Sequence, residues 1–192
     1  MPLGTSERVE QFVHPSALVE VADVRSAPPR RGGMYGWWFL PGSLSVPERD
    51  YSRVESYELL YVGIAPRKPT SDGRESASTL RPRLVKHATG DASRSTLRLT
   101  LGVLLADKLD LVLGSHANRL NFGPTGESHL TAWLNEHARV SWVEQPQPWL
   151  IEDEMLEHAT LALNVDGRDH DPFARELKQR RMDARQAARR GR

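Results

Sequence analysis

Apolar positions along this chain fall into two patterns: short runs bounded by glycine and proline, and helix-spaced stripes. Met34-Tyr35-Gly36-Trp37-Trp38-Phe39 is aromatic, short and closed by Pro41-Gly42, which predicts a strand. A second strand is predicted over residues 58–64, closed by Pro66, and a third over 139–144, where polar and apolar residues alternate. Between the first two lies a polar connection, residues 43–57; a loop rich in Ser, Gly and Pro then runs to about Ser78. Helix-type spacing follows. Residues 79–87 predict one helix, with Pro82 tolerated in its opening turn and Gly90 as its stop. Ser95 caps another, whose Leu97, Leu101, Leu104 and Leu105 share one face. Residues 109–113 fit either a helix end or a strand. Leu130, Trp133 and Leu134 form the stripe of a helix over 127–138, and residues 149–158 form the next. Asp171-Pro172 is a helix start for the charged C-terminal segment. The expected architecture is α/β: a small three-stranded mixed or antiparallel sheet flanked by helices, with a charged C-terminal helix or tail. Residues 1–32 read as a lead-in broken by Pro28-Pro29, 33–166 as the main folded unit and 167–192 as a basic extension.

Composition adds mainly exclusions. At 192 residues the chain can bury one core of ordinary size. It has no cysteine, which removes disulfides and thiolate zinc sites. No apolar run approaches a membrane span and the N-terminus lacks an apolar signal core, so a soluble, cytoplasmic protein is expected. Net charge is +1 and does not mark a nucleic-acid binder, but residues 175–192 are dense in Arg and Lys. That run reads as a solvated tail or as a set of phosphate contacts.

Several residues have chemistry worth following. Tyr61 and Gly63 point to one side of their strand, setting bare backbone beside a phenol, where a phosphodiester could approach. Arg83 and His87 stand one turn apart on a helix face; an arginine fork suits a phosphate oxygen, and Arg81, across Pro82, competes for the same role. Glu152 and Glu154 both lie between apolar neighbours, so periodicity does not choose between them. Asn164 closes an apolar run, where it suits a turn as well as a site. His129 and His137 are too far apart for a helical ligand pair, and no zinc site is expected.

In order along the chain, Gly33-Met34-Tyr35, Tyr61-Val62-Gly63, Arg83 with His87, and Glu152 followed twelve residues later by Asn164 resemble the GIY-YIG nuclease superfamily. The resemblance covers roughly residues 33–164. Met34 replaces the usual isoleucine, and residues 43–57 form an insert in what is normally a tight hairpin. Ser95-Thr96-Leu97-Arg98 and the Val-Ser-Trp-Val strand look like a bacterial subgroup without a defined substrate. The resemblance implies an endonuclease acting on nucleic acid, DNA more than RNA, with one divalent metal, Mg²⁺ or Mn²⁺. It makes Tyr35 the general base assisted by Tyr61, Arg83 the stabiliser of phosphate charge, and His87 a proton shuttle or phosphate ligand. The spacing to Asn164 selects Glu152 as metal ligand, and Asn164 would help hold the site together. Gly63, Arg98, Lys178 and Arg181 are the expected nucleic-acid contacts, with Arg180 and Arg185 in the same basic segment. The alternatives are a nucleic-acid-binding module that keeps this fold without turnover, and a protein-interaction domain.

Overall fold

The structure is a computed structural model; it describes residues 5–71, 73–74, 76–116 and 119–191. Arg192, the end of the basic run, and residues 1–4 of the lead-in lie outside them. The order along the chain begins α1 (Thr5–Val13), β1 (Val19–Glu20), a short 3-10 helix (Val21–Arg25), β2 (Gly33–Phe39), β3 (Arg53–Val54) and β4 (Tyr57–Ala65). It continues with α2 (Leu80–Thr89), α3 (Thr96–Leu104), α4 (Ala106–Leu109), β5 (Gly114–His116), β6 (Arg119–Asn121) and α5 (Gly123–His137). Last come β7 (Ala138–Glu144), α6 (Trp149–His158) and α7 (Pro172–Arg190).

The three strands expected from the pattern are β2, β4 and β7, and they form the middle of an antiparallel five-stranded sheet of order β1-β7-β2-β4-β3. The two edge strands, of two residues each, carry no periodic signal and escaped the sequence reading, as did the helix and 3-10 turn inside the lead-in. Residues 109–113 start as a helix end: α4 stops at Leu109, Asp110 caps it in the left-handed region, and 111–113 are irregular. Central β2 is buried along its whole length. Tyr35, Trp37 and Phe39 enter the larger core under α2, α3 and α5, while Met34 and Trp38 enter a second core with Phe12 of α1 and Ile151 and Met155 of α6. Each such side chain stabilises the fold by roughly 1.5–3 kcal/mol.

The insert leaves the strand pairing intact: β2 faces β4 from Gly33↔Ala65 to Phe39↔Glu58, with one irregularity at Trp37/Trp38. There Leu60 is the extra residue, a bulge that puts Leu60 and Tyr61 against the same core. The insert is strapped to the C-terminal region by Arg49, whose guanidinium donates to both carboxylate oxygens of Asp171 at 2.6 and 2.8 Å. Asp171 also caps α7, accepting from the Phe173 N–H at 3.0 Å. The hydrogen bond from Arg49, aided by that backbone N–H, holds the Asp171 carboxyl down to about 2. Because the folded value is depressed, the strap stabilises the fold above the ordinary carboxylate range and its contribution is lost as pH falls towards 2. Asp171→Ala is therefore expected to cost about 1–3 kcal/mol in urea unfolding at neutral pH. The gap to wild type should shrink in acid; an equal gap at both pH values would show that the carboxylate charge is idle.

α7 is a packed helix rather than a loose tail. Ala174, Leu177 and Ala188 are buried in the main core. Lys178 pairs with Asp169 at 2.6 Å, and Arg180 donates to the Val103 carbonyl at 2.9 Å. Arg98 corrects the sequence reading more sharply. It is fully buried, pairs with Glu127 at 2.7 Å, and donates to the carbonyls of His87, Ala88 and Glu127. It ties α2, α3 and α5 together and cannot meet a nucleic acid. It points inward because the last carbonyls of α2 need donors, and its guanidinium supplies them.

Candidate active site

At the Gly63 end of β4 the sheet opens into a cleft of about 380 Å³, lined by Tyr35, Tyr61, Gly63, Arg83, Glu152 and Asn164 among others. With Arg181 of α7, seven of the residues singled out in the sequence thus come together, the other six from β2, β4, α2, α6 and the segment after α6. α2 is anchored by the carbonyls of Pro29 and Arg31, which accept from the N–H groups of Arg81 and Leu80 in its first turn. The Arg81 side chain donates to the Pro28 carbonyl at 2.6 Å, which removes it from the competition with Arg83. Glu152 lines the cleft from α6, whose Ile151 and Met155 are buried; Glu154 does not line it.

Tyr35 stands opposite Gly63 in the strand register. A Cβ built on Gly63 would lie 2.5 Å from the Tyr35 hydroxyl, so the phenol occupies the space a side chain would need. The glycine was expected to admit a ligand; here it admits Tyr35. Asn164 serves the same strand. Its Oδ1 accepts from the Val62 N–H at 2.8 Å and its Nδ2 donates to the Val62 carbonyl at 2.9 Å. Leu163 adds an N–H bond to the Leu60 carbonyl, so this segment satisfies the free edge of β4 and becomes a wall of the cleft.

The Tyr35 hydroxyl is the focus of a buried hydrogen-bond chain. Arg83 Nε donates to it at 3.2 Å, and His87 Nε2 lies 2.8 Å away. His87 does not line the cleft; it is fully buried behind Tyr35, its ring against those of Tyr35, Trp37 and Tyr61. On its far side Nδ1 lies 2.7 Å from Ser95 Oγ, which already accepts the Arg98 N–H at the start of α3. Among the described residues, the buried Ser95 hydroxyl has only His87 Nδ1 to receive its proton. A Ser95 hydroxyl that donates to Nδ1 leaves the ring proton on Nε2, aimed at the Tyr35 oxygen; the opposite tautomer makes Tyr35 the donor to Nε2. Burial, reinforced by Arg83, Lys86, Arg98 and Arg67, holds His87 well below its ordinary range, so the ring is neutral. Burial pushes the Tyr35 phenol up, and the Arg83 cation with its hydrogen bond opposes this. Tyr61 is pushed up in the same way, by burial and then by Tyr35.

Burial, and secondarily Asp153, pushes Glu152 up to about 7, against the pull of Arg67 and Arg83. A carboxylate so desolvated gains most from a cation brought to it. Among the described residues no group of three or more His, Asp or Glu side chains could cage a metal. One carboxylate completed by water and substrate phosphate suits a hard divalent ion, so the residues present fit such a group. Arg67, Lys68, Thr96 and Asp166 also line the cleft and were missed in the sequence, as was Ser95 as the partner of His87. Arg67-Lys68, directly after the second strand and its proline, was the available signal. Arg181 reaches the cleft from α7, buried, with Asp166 at 3.3 Å.

A hydrogen-bonded phenol and a carboxylate thus share one cleft with the cations Arg67, Lys68 and Arg83, an arrangement that can accommodate an anionic ester. The family model described as the GIY-YIG catalytic domain matches residues 33–183, and the chain belongs to that family. It therefore carries a nuclease domain, a phosphodiester hydrolase of a kind that typically uses a divalent metal. The match starts at the head of β2 and runs into α7. No curated protein and no solved structure matches the chain. Among the described residues no helix is long and apolar enough to cross a membrane.

Proposed function

We propose that this cleft cuts nucleic acid, with DNA as the first substrate, by in-line attack of water on a phosphodiester, and that Tyr35 takes the water proton. The observation that carries this reading is the Tyr35 hydroxyl held between Arg83 Nε, which donates to it, and His87 Nε2, which donates to it in the tautomer that a Ser95 hydroxyl donating to Nδ1 sets. Both stabilise a phenolate, which an unassisted tyrosine with a pKa near about 10 hardly forms at neutral pH. After Tyr35 has lost its own proton to solvent, its oxygen accepts a proton from the attacking water. A bond forms between the water oxygen and phosphorus as the bond to the leaving oxygen breaks. Arg83 uses Nε on Tyr35 and keeps its terminal nitrogens for a phosphate oxygen, where charge builds during displacement. Tyr61 borders the same space and orients the water. Glu152 would hold one Mg²⁺ or Mn²⁺, which when bound supplies Lewis-acid polarisation of the scissile phosphate and balances the leaving oxygen's charge.

Incubation with branched, nicked and single-stranded DNA and with RNA, with and without Mg²⁺ or Mn²⁺, tests the reading. Cation-dependent cleavage is expected; binding without cleavage under every condition would replace it with the binding-module reading.

Ser95 enters as a positioning residue. Ser95→Ala removes both the α3 cap, worth about 1 kcal/mol, and the group that fixes the His87 tautomer. The free His87 can then turn Nε2 into an acceptor, and the phenolate loses a donor. The alkaline shift of the pH–rate profile expected for Ser95→Ala should be reversed by Ser95→Thr. A profile that moves in neither variant would reduce Ser95 to a helix cap.

A further inference from the structure

Net charge of +1 conceals a strong sorting of charge on this surface. Arg67 and Arg83 line both the cleft and an adjoining groove, whose other polar lining residues are Ser76, Ser78, Lys86 and Arg94. Arg94 in turn lines a further groove together with Arg119, Arg185 and Arg189. A second row of cations reaches the same place along α7. Arg181 lines the cleft, while Arg185 and Arg189 follow four and eight residues later on the same helix face and line the far groove. That row rises about 12 Å along the helix. Among the described residues, no carboxylate lines either groove. Lys86, Arg94, Arg119, Arg185 and Arg189 are exposed, and none makes an ion pair with a described residue.

Like charges spaced four apart on a helix destabilise it. Partial desolvation of its guanidinium, and then Arg181 and Arg189 on either side, pull the exposed Arg185 below its ordinary range. Such a row gains when an anion lies along it. A single phosphate would engage one or two of these side chains, whereas two rows that leave the cleft and meet beyond it match a linear polyanion.

We propose that the two grooves beyond the cleft bind the nucleotides flanking the scissile phosphodiester, with Lys86, Arg94, Arg119, Arg185 and Arg189 contacting successive phosphates. The inference rests on the nuclease reading for the identity of the polyanion. It gives this surface a substrate of continuous nucleic acid several nucleotides long, in place of a small phosphate ester. These side chains meet backbone phosphates, so they contribute affinity and orientation without sequence preference.

The test is binding of a labelled DNA duplex long enough to span both grooves, measured by anisotropy in chelator across a salt series. The combined variant Arg94→Ala, Arg185→Ala, Arg189→Ala should bind about tenfold more weakly, and its log–log salt slope should fall by up to about 2.7, roughly 0.9 for each phosphate no longer neutralised. The matching lysine variant should restore the slope, which a folding defect would not allow, and exposed Arg30→Ala should leave it unchanged. Wild-type slope and affinity in the alanine variant would overturn the proposal. Binding needs no turnover, so the two readings fail separately. Weaker binding by the alanine variant of a parent that never cleaves supports the grooves and removes the nuclease reading. Cleavage by a parent whose slope ignores the three arginines removes the grooves alone and turns this surface over to an acidic protein partner.

Discussion

Glu152→Gln is expected to lower single-turnover cleavage by at least about a hundredfold, a typical loss when one electrostatic stabiliser of the transition state is removed. The exchange keeps size and helix propensity and removes only the anionic oxygen that a hard cation requires. Stability should not fall. Burial already pushes this carboxyl up to about 7, so the folded protein holds the charge at a cost that the neutral amide does not incur. A melting temperature equal to or above wild type, with cleavage lost at every Mg²⁺ or Mn²⁺ concentration, is the expected pair of results. Glu154→Gln is the internal control, because Glu154 lies on the same helix and does not line the cleft. Cleavage surviving Glu152→Gln and lost in Glu154→Gln would transfer the ligand role; cleavage surviving both would remove the carboxylate–metal reading.

Tyr35→Phe should lower the same rate by about 10²–10⁴-fold, the usual contribution of a general base. Here a cost in stability is expected as well. Deleting the hydroxyl strands Arg83 Nε and the buried His87 Nε2 without their shared partner, at about 1–3 kcal/mol. The two effects separate when urea unfolding is set beside a saturating single-turnover rate: a folded variant at the assay temperature that still fails to cut places the hydroxyl in the chemistry. A folded variant that cuts at the wild-type rate would return Tyr35 to a purely structural role.

Much of the scaffold was legible because its signals are local. The aromatic run of β2, the alternation of β7 and the leucine face of α3 each lie within a few residues, and α6 has the predicted bounds of 149–158. Ser95 was readable as a cap for the same reason, since the N–H it accepts belongs to Arg98, three residues on. Strands β1 and β3 were not legible. Two residues have no period, and they are strands only because β7 and β4 offer them an edge.

The site residues were legible as types and incompletely as roles. The order of Tyr35, Tyr61, Arg83, Glu152 and Asn164 is a property of the chain, and all five line one cleft. Which way a helical side chain points depends on what packs against its helix, and that is where the sequence reading stopped. Arg98 and Arg185 are the same residue type on helices, yet Arg98 is buried among the carbonyls of α2 and α5 while Arg185 faces an open groove. Gly63 looked like room for a ligand until β2 set the Tyr35 phenol across it. The sequence by itself therefore determined the three central strands, the longer helices after β4 and the inventory of reactive groups, through periodicities and caps spanning one or two turns. Only the tertiary structure decided that His87 shares a hydrogen bond with Tyr35, that Arg83 rather than Arg81 enters the cleft, and that Arg181 reaches it from the far end of the chain. Each of those depends on packing between elements far apart in sequence, which sets hydrogen-bond partners and burial where neighbours along the chain do not.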